Sequence, residues 1–105
     1  MPVAPANIRK IAREALEIRK TLPKSRQAGT PVGLARANQL ANGDNLSLST
    51  LIRMRSYLIR SRQNYRQAKQ RGLNAKNSKA IQAYMLWGST PALRWAQSQI
   101  TKLQK

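Results

Sequence analysis

The sequence has no cysteine and no histidine, and its only acidic residues are Glu14, Glu17 and Asp44. Without imidazole or thiol there is no neutral-pH histidine base, no thiolate nucleophile and no nitrogen or sulfur side-chain ligand set for zinc, so neither a metal nor another cofactor is expected. An enzyme would have to work with lysine or hydroxyl groups and those three carboxylates, and the expectation is a protein that is not an enzyme and has no small-molecule substrate. The lack of thiols does not indicate a redox compartment, because such a chain is indifferent to it. Long apolar runs are also missing. The longest is Ala83-Tyr84-Met85-Leu86-Trp87, and the opening Met1-Pro2-Val3-Ala4-Pro5 has no charged stretch followed by an apolar one. Neither a membrane span nor a signal peptide is expected.

What the chain has in abundance is positive charge: 20 Lys and Arg against 3 Asp and Glu, a formal +17 over 105 residues. The hydrophobic fraction of 41% suits a folding domain, and the length suits a single one. Self-repulsion on this scale opposes compaction unless something negative lies nearby. Nucleic acid is the commonest such partner, followed by acidic protein surfaces and anionic lipid.

The pattern along the chain is helical. Residues 1 to 6 carry two prolines and no periodicity and read as an extended arm outside the core, leaving 7 to 105 as a single helical domain. Asn7 can cap a first helix whose Ile8, Ile11, Ala15, Ile18 and Leu22 form one apolar stripe, with Glu14 and Glu17 placed to meet Lys10, Arg13 and Lys20. Pro23 ends it. Thr30-Pro31 signals a second helix, with Leu34, Ala37, Leu40 and Ala41 on its apolar side, closing at Asn42-Gly43. Ser47 is the N-cap of a third, stapled by Leu46 and Leu51, running from Leu48 to Arg62 or on to Lys69 before Gly72. Ser78 can cap a fourth that stops at Gly88, and Ser89-Thr90-Pro91 repeats the cap-then-proline signal for a fifth, from Pro91 to about Leu103. No stretch alternates like a strand for more than a few positions. The expected fold is all-α, a compact bundle of about five helices with an extended N-terminal arm.

The densest basic region is the third helix, where Arg53, Arg55, Arg60, Arg62, Arg66, Lys69 and Arg71 occur with no acidic residue among them. Helical spacing puts Arg55, Arg62 and Arg66 near one side and Arg53 and Arg60 on another, flanking a buried stripe of Leu51, Met54, Leu58 and Tyr65. A charged helix face is usually just solvated. Here the missing counter-charge favours a surface for phosphates or for acidic protein, both of which guanidinium groups hold in a fork.

Three further patterns bear on function. The second helix, the turn at Gly43 and the third helix have the outline of a helix-turn-helix, although Asn38 and Asn42 sit where a tightly packed pair favours small or apolar residues. Trp87 and Trp95 could stack on bases, but their apolar neighbours at helical spacing assign them to the core, and Tyr57 and Tyr84 are assigned likewise. The first helix is basic and amphipathic, yet Glu14, Glu17 and the lack of large aromatics on its apolar side argue against a membrane surface.

Two stretches add a resemblance: Leu34-Ala35-Arg36-Ala37-Asn38-Gln39-Leu40-Ala41-Asn42-Gly43-Asp44-Asn45-Leu46-Ser47 with Thr50, Arg53-Met54 and Ser56-Tyr57, then Ala83-Tyr84-Met85-Leu86-Trp87-Gly88 with Arg94-Trp95-Ala96. Together they resemble a small helical module of tailed-phage (cyanophage-like) proteins encoded among head and structural genes. The match spans about residues 33 to 96, and Ser47, Arg53, Met54, Trp87 and Gly88 fall on its pattern. The chain departs from it at Ser61, which follows Arg60 where the module often has a histidine, and at Ser89, which stands where a second glycine would be. The resemblance implies a phage setting rather than a reaction. The expected function is that of a minor head or capsid-associated virion component, present in multiple copies and made in the host cytoplasm. Its partners would be acidic phage coat or head proteins, packaged DNA, or both. A small DNA-binding or host-takeover regulator is the alternative.

Overall fold

The computed structural model describes residues 2–104; the ends of the expected arm and domain, Met1 and Lys105, lie outside the described residues. The chain is all-helical: α1 (Ala6–Lys20), α2 (Pro31–Asn42), α3 (Leu48–Gln70), α4 (Lys79–Leu86) and α5 (Ser89–Leu103), with a short 3-10 turn at Lys24–Arg26. The described residues contain no strand, only an isolated antiparallel bridge between Val3 and Asn45. The Cα radius of gyration, 13.1 Å, is that of a compact domain of this length, drawn out along a 42 Å axis.

Local chemistry sets most boundaries. Thr30 Oγ1 accepts from the Gly33 amide at 3.1 Å, Pro31 takes the first helical position of α2, and Gly43 closes it with φ 72°. Ser47 Oγ accepts from the Thr50 amide at 3.2 Å, with Leu46 and Leu51 both buried on either side of the cap. Ser78 Oγ accepts from the Ile81 amide to start α4.

Three expectations are corrected. Asn7 does not cap α1; it is exposed inside the helix, and Pro5 precedes the first turn with its carbonyl accepting from the Ile8 and Arg9 amides. The arm is not outside the core: Ala4 is buried in it, and the Leu46 amide donates to the Pro2 carbonyl at 2.9 Å. An extended segment here finds backbone partners at Asn45 and Leu46 that it would otherwise leave to water. Finally, α5 starts at Ser89 rather than Pro91. Gly88 adopts φ 94° and Ser89 φ 62°, while the Thr90 hydroxyl, expected as part of the cap, lies 3.0 Å from the Tyr84 hydroxyl.

The helices pack in two layers of contact: α1 lies on α2 and α4, and α3 lies on α4 and α5. Ile8, Leu40, Leu51, Met54, Leu58, Tyr84 and Leu86 fill the main core. A smaller cluster of Ala68, Ala75 and Ile81 closes the far end, with Ile18, Leu73 and Met85 packed on it. On α1 the buried stripe is Ile8, Ala12 and Ala15, whereas Ile11 and Ile18 are half-buried and Leu22, expected on the same stripe, lies beyond the end of the helix. None of the helices is long and apolar enough to cross a membrane among the described residues.

Candidate polyanion-binding face

The third helix is continuous over 23 residues, about 35 Å at 1.5 Å per residue, so its basic positions are held on one rigid rod. Leu51, Met54 and Leu58 are fully buried beneath it, and Tyr65 stacks on Tyr84 with ring centroids 4.2 Å apart. That packing fixes the rotation of the rod. Arg55 and Arg62 emerge half-buried at the edge of the core, with Arg66 exposed one turn beyond, so three guanidinium groups follow one another along about 16 Å of one side. Arg53 and Arg60 are exposed on the other side of the helix, two turns apart. Lys69 is exposed in the last turn, and Arg71 is exposed at the C-cap, where its amide bonds the Gln67 and Ala68 carbonyls.

None of these seven side chains makes an ion pair or a hydrogen bond among the described residues. The two ion pairs there lie on α1, Lys10 to Glu14 at 4.0 Å and Lys20 to Glu17 at 3.4 Å, both exposed. Hence the positive charge of α3 is left uncompensated, in a geometry where each guanidinium can fork onto a phosphate or carboxylate oxygen pair from outside. No group of three or more His, Cys, Asp or Glu that could hold a metal ion occurs among the described residues.

Sequence reasoning missed one arginine. Arg36, on α2, is only 7% exposed, with its guanidinium 5.6 Å from the Trp87 ring centroid. Nη1 donates to Gln39 Oε1, but the buried Nε has no partner. Burial, and then the charge of neighbouring Arg53, hold the Arg36 guanidinium below its ordinary pKa. The signal was legible: Arg36 is in phase with Gly33, Ala37 and Leu40, the positions α2 buries. Trp87 itself stacks on Tyr57 at 4.3 Å with 17° between planes, so its place is in the packing, as expected.

The helix-turn-helix outline does not survive packing. In that motif the two helices pack against each other, whereas here α2 packs chiefly on α1 and α3 on α4 and α5. Comparison with protein-family models, with curated proteins and with solved structures finds no match to this chain.

Proposed function

We propose that the protein is a non-enzymatic binder of nucleic-acid phosphates, carried in multiple copies as a minor head or capsid-associated component of a tailed-phage particle, with Arg55, Arg62 and Arg66 as the central contacts. The observation that carries this reading is the row of guanidinium groups on α3 with no internal counter-charge. The rest of the surface agrees with a polymeric anion rather than one acidic patch, since exposed cations also occur on α1, at Lys24 and Arg26, at Lys76 and Lys79, and on α5 at Arg94 and Lys102. A protein that neutralises phosphates releases condensed counterions, which favours such a dispersed positive surface without requiring sequence recognition. The phage setting is supported by the resemblance over residues 33 to 96.

Mass spectrometry of purified particles, before and after opening and nuclease digestion, tests the proposal. The expected result is that the protein is present in the particle and is released with the digested DNA. Retention on emptied shells would assign the partner to acidic coat protein instead, and absence from particles would overturn the virion role.

A further inference from the structure

A groove crosses the molecule on the Arg53 and Arg60 side of α3, away from the row proposed to meet DNA. Two cavities, of about 390 and 460 Å³, share Thr30, Tyr57 and Trp87 as walls. The first is completed by Val32 and Ile52, with Arg53 and Arg60 on its wall; the second by Ala80 and Ala83, with Lys79. No acidic residue lines either one. Val32 is 52% exposed, and so is 45% of Ile59, which stands two helical turns from Ile52 on the same side of α3. Behind the groove lies Arg36, a buried cation in contact with Trp87 whose Nε has no partner. The feature is therefore an apolar and aromatic floor with cations at both ends, next to a buried positive charge that nothing in the described chain neutralises.

We propose that this groove receives an acidic, amphipathic segment of a partner protein, its branched apolar side chains lying against Val32, Ile52 and Tyr57 and its carboxylates meeting Arg53 and Arg60 at one end and Lys79 at the other. A phosphate backbone would leave the apolar floor unused. A nucleobase needs an open ring face, and Trp87 has Tyr57 stacked on it and the Arg36 guanidinium over it. A second copy of this chain is a poor occupant: it brings three carboxylates, two of them ion-paired on α1, and a net charge of +17. An incoming carboxylate beside Arg53 also offsets the repulsion between Arg53 and Arg36, so charge and shape favour the same ligand.

The test uses the full chain and a synthetic peptide of about 16 residues built from repeats of Glu-Leu-Leu-Glu, a pattern that gathers leucines on one side and carboxylates on the other when it folds as a helix on the groove. Its Gln-for-Glu counterpart and a single-stranded oligothymidine serve as the other probes. The two indole N–H resonances report the site by NMR: the acidic peptide is expected to shift Trp87 and leave Trp95 in place. Affinity should fall about tenfold in R53Q/R60Q and about fivefold in Val32→Ser, and the Gln-for-Glu peptide should not saturate the site. Val32→Ser is exposed and neutral, so helicity by circular dichroism and affinity for duplex DNA should both stay unchanged. The proposal is overturned if Val32→Ser leaves peptide affinity intact, because the attraction is then charge alone. It is also overturned if Trp87 responds to oligothymidine and not to the acidic peptide. Neither result bears on the Arg55, Arg62 and Arg66 row, whose failure would appear only in duplex binding.

Discussion

The first and third helices are both basic, and they use their cations in opposite ways. On α1, Arg19 Nε donates to the Ala28 carbonyl at 2.8 Å and Arg13 Nη2 to the Ala41 carbonyl at 3.4 Å, while Lys10 and Lys20 stand beside Glu14 and Glu17. These charges tie the helix to the loop before α2 and to the end of α2. On α3 and its C-cap the seven cations bond nothing among the described residues; only Arg55 and Arg62 sit half-buried at the edge of the core, and the heads add mutual repulsion. The difference separates charge that contributes to folding from charge that the fold merely carries, and the second kind marks the surface to test for binding.

The comparison sharpens most if the α3 row is removed. R55Q/R62Q/R66Q takes away three phosphate contacts, which should weaken duplex DNA binding about a hundredfold near 0.15 M salt. Circular dichroism should stay as in the wild type, because no internal hydrogen bond or ion pair is lost. On α1 the reverse is expected. Arg19→Ala leaves the part-buried Ala28 carbonyl without its donor and should cost about 1–2 kcal/mol in denaturant unfolding, with DNA affinity reduced far less than by the α3 change. Arg36, on α2, is a buried cation with an unpartnered Nε; the Nε of half-buried Arg9 on α1 is likewise buried without a partner. Arg36→Met keeps a long side chain over Trp87 while removing the uncompensated charge, and should stabilise the fold by about 1 kcal/mol in the same assay. The smallest effect belongs to Glu14→Gln with Glu17→Gln, whose exposed ion pairs should account for less than about 0.5 kcal/mol. A large loss there would mean that α1 depends on its carboxylates far more than their exposure suggests.

Helix starts governed by one side chain were readable from sequence. Thr30, Ser47 and Ser78 each bond an amide three residues on, a purely local event. The starts of α1 and α5 were not, because packing decides them. At Gly88 an added Cβ would lie 2.5 Å from the Ala92 Cβ one turn on and 3.0 Å from the Ile8 Cγ2 of α1, the second a contact that no short window contains. That crowded junction, with Gly88 and Ser89 both at positive φ, begins α5 two residues before Pro91, where the cap-then-proline signal puts its start. The site divides along the same line. Arg55, Arg62 and Arg66 follow from helical spacing alone, whereas the groove draws Val32 from α2, Tyr57 from α3 and Ala83 from α4, and becomes visible only once those helices are assembled.

The central claim is that α3 holds its arginines for an external polyanion, and the salt dependence of DNA binding tests it most directly. Plotting the logarithm of the association constant against that of salt concentration for wild type and R55Q/R62Q/R66Q should give a steep negative slope that becomes shallower by about 2.7 in the variant, the value for three lost phosphate contacts. Equal slopes and equal affinities for the two proteins would contradict the account.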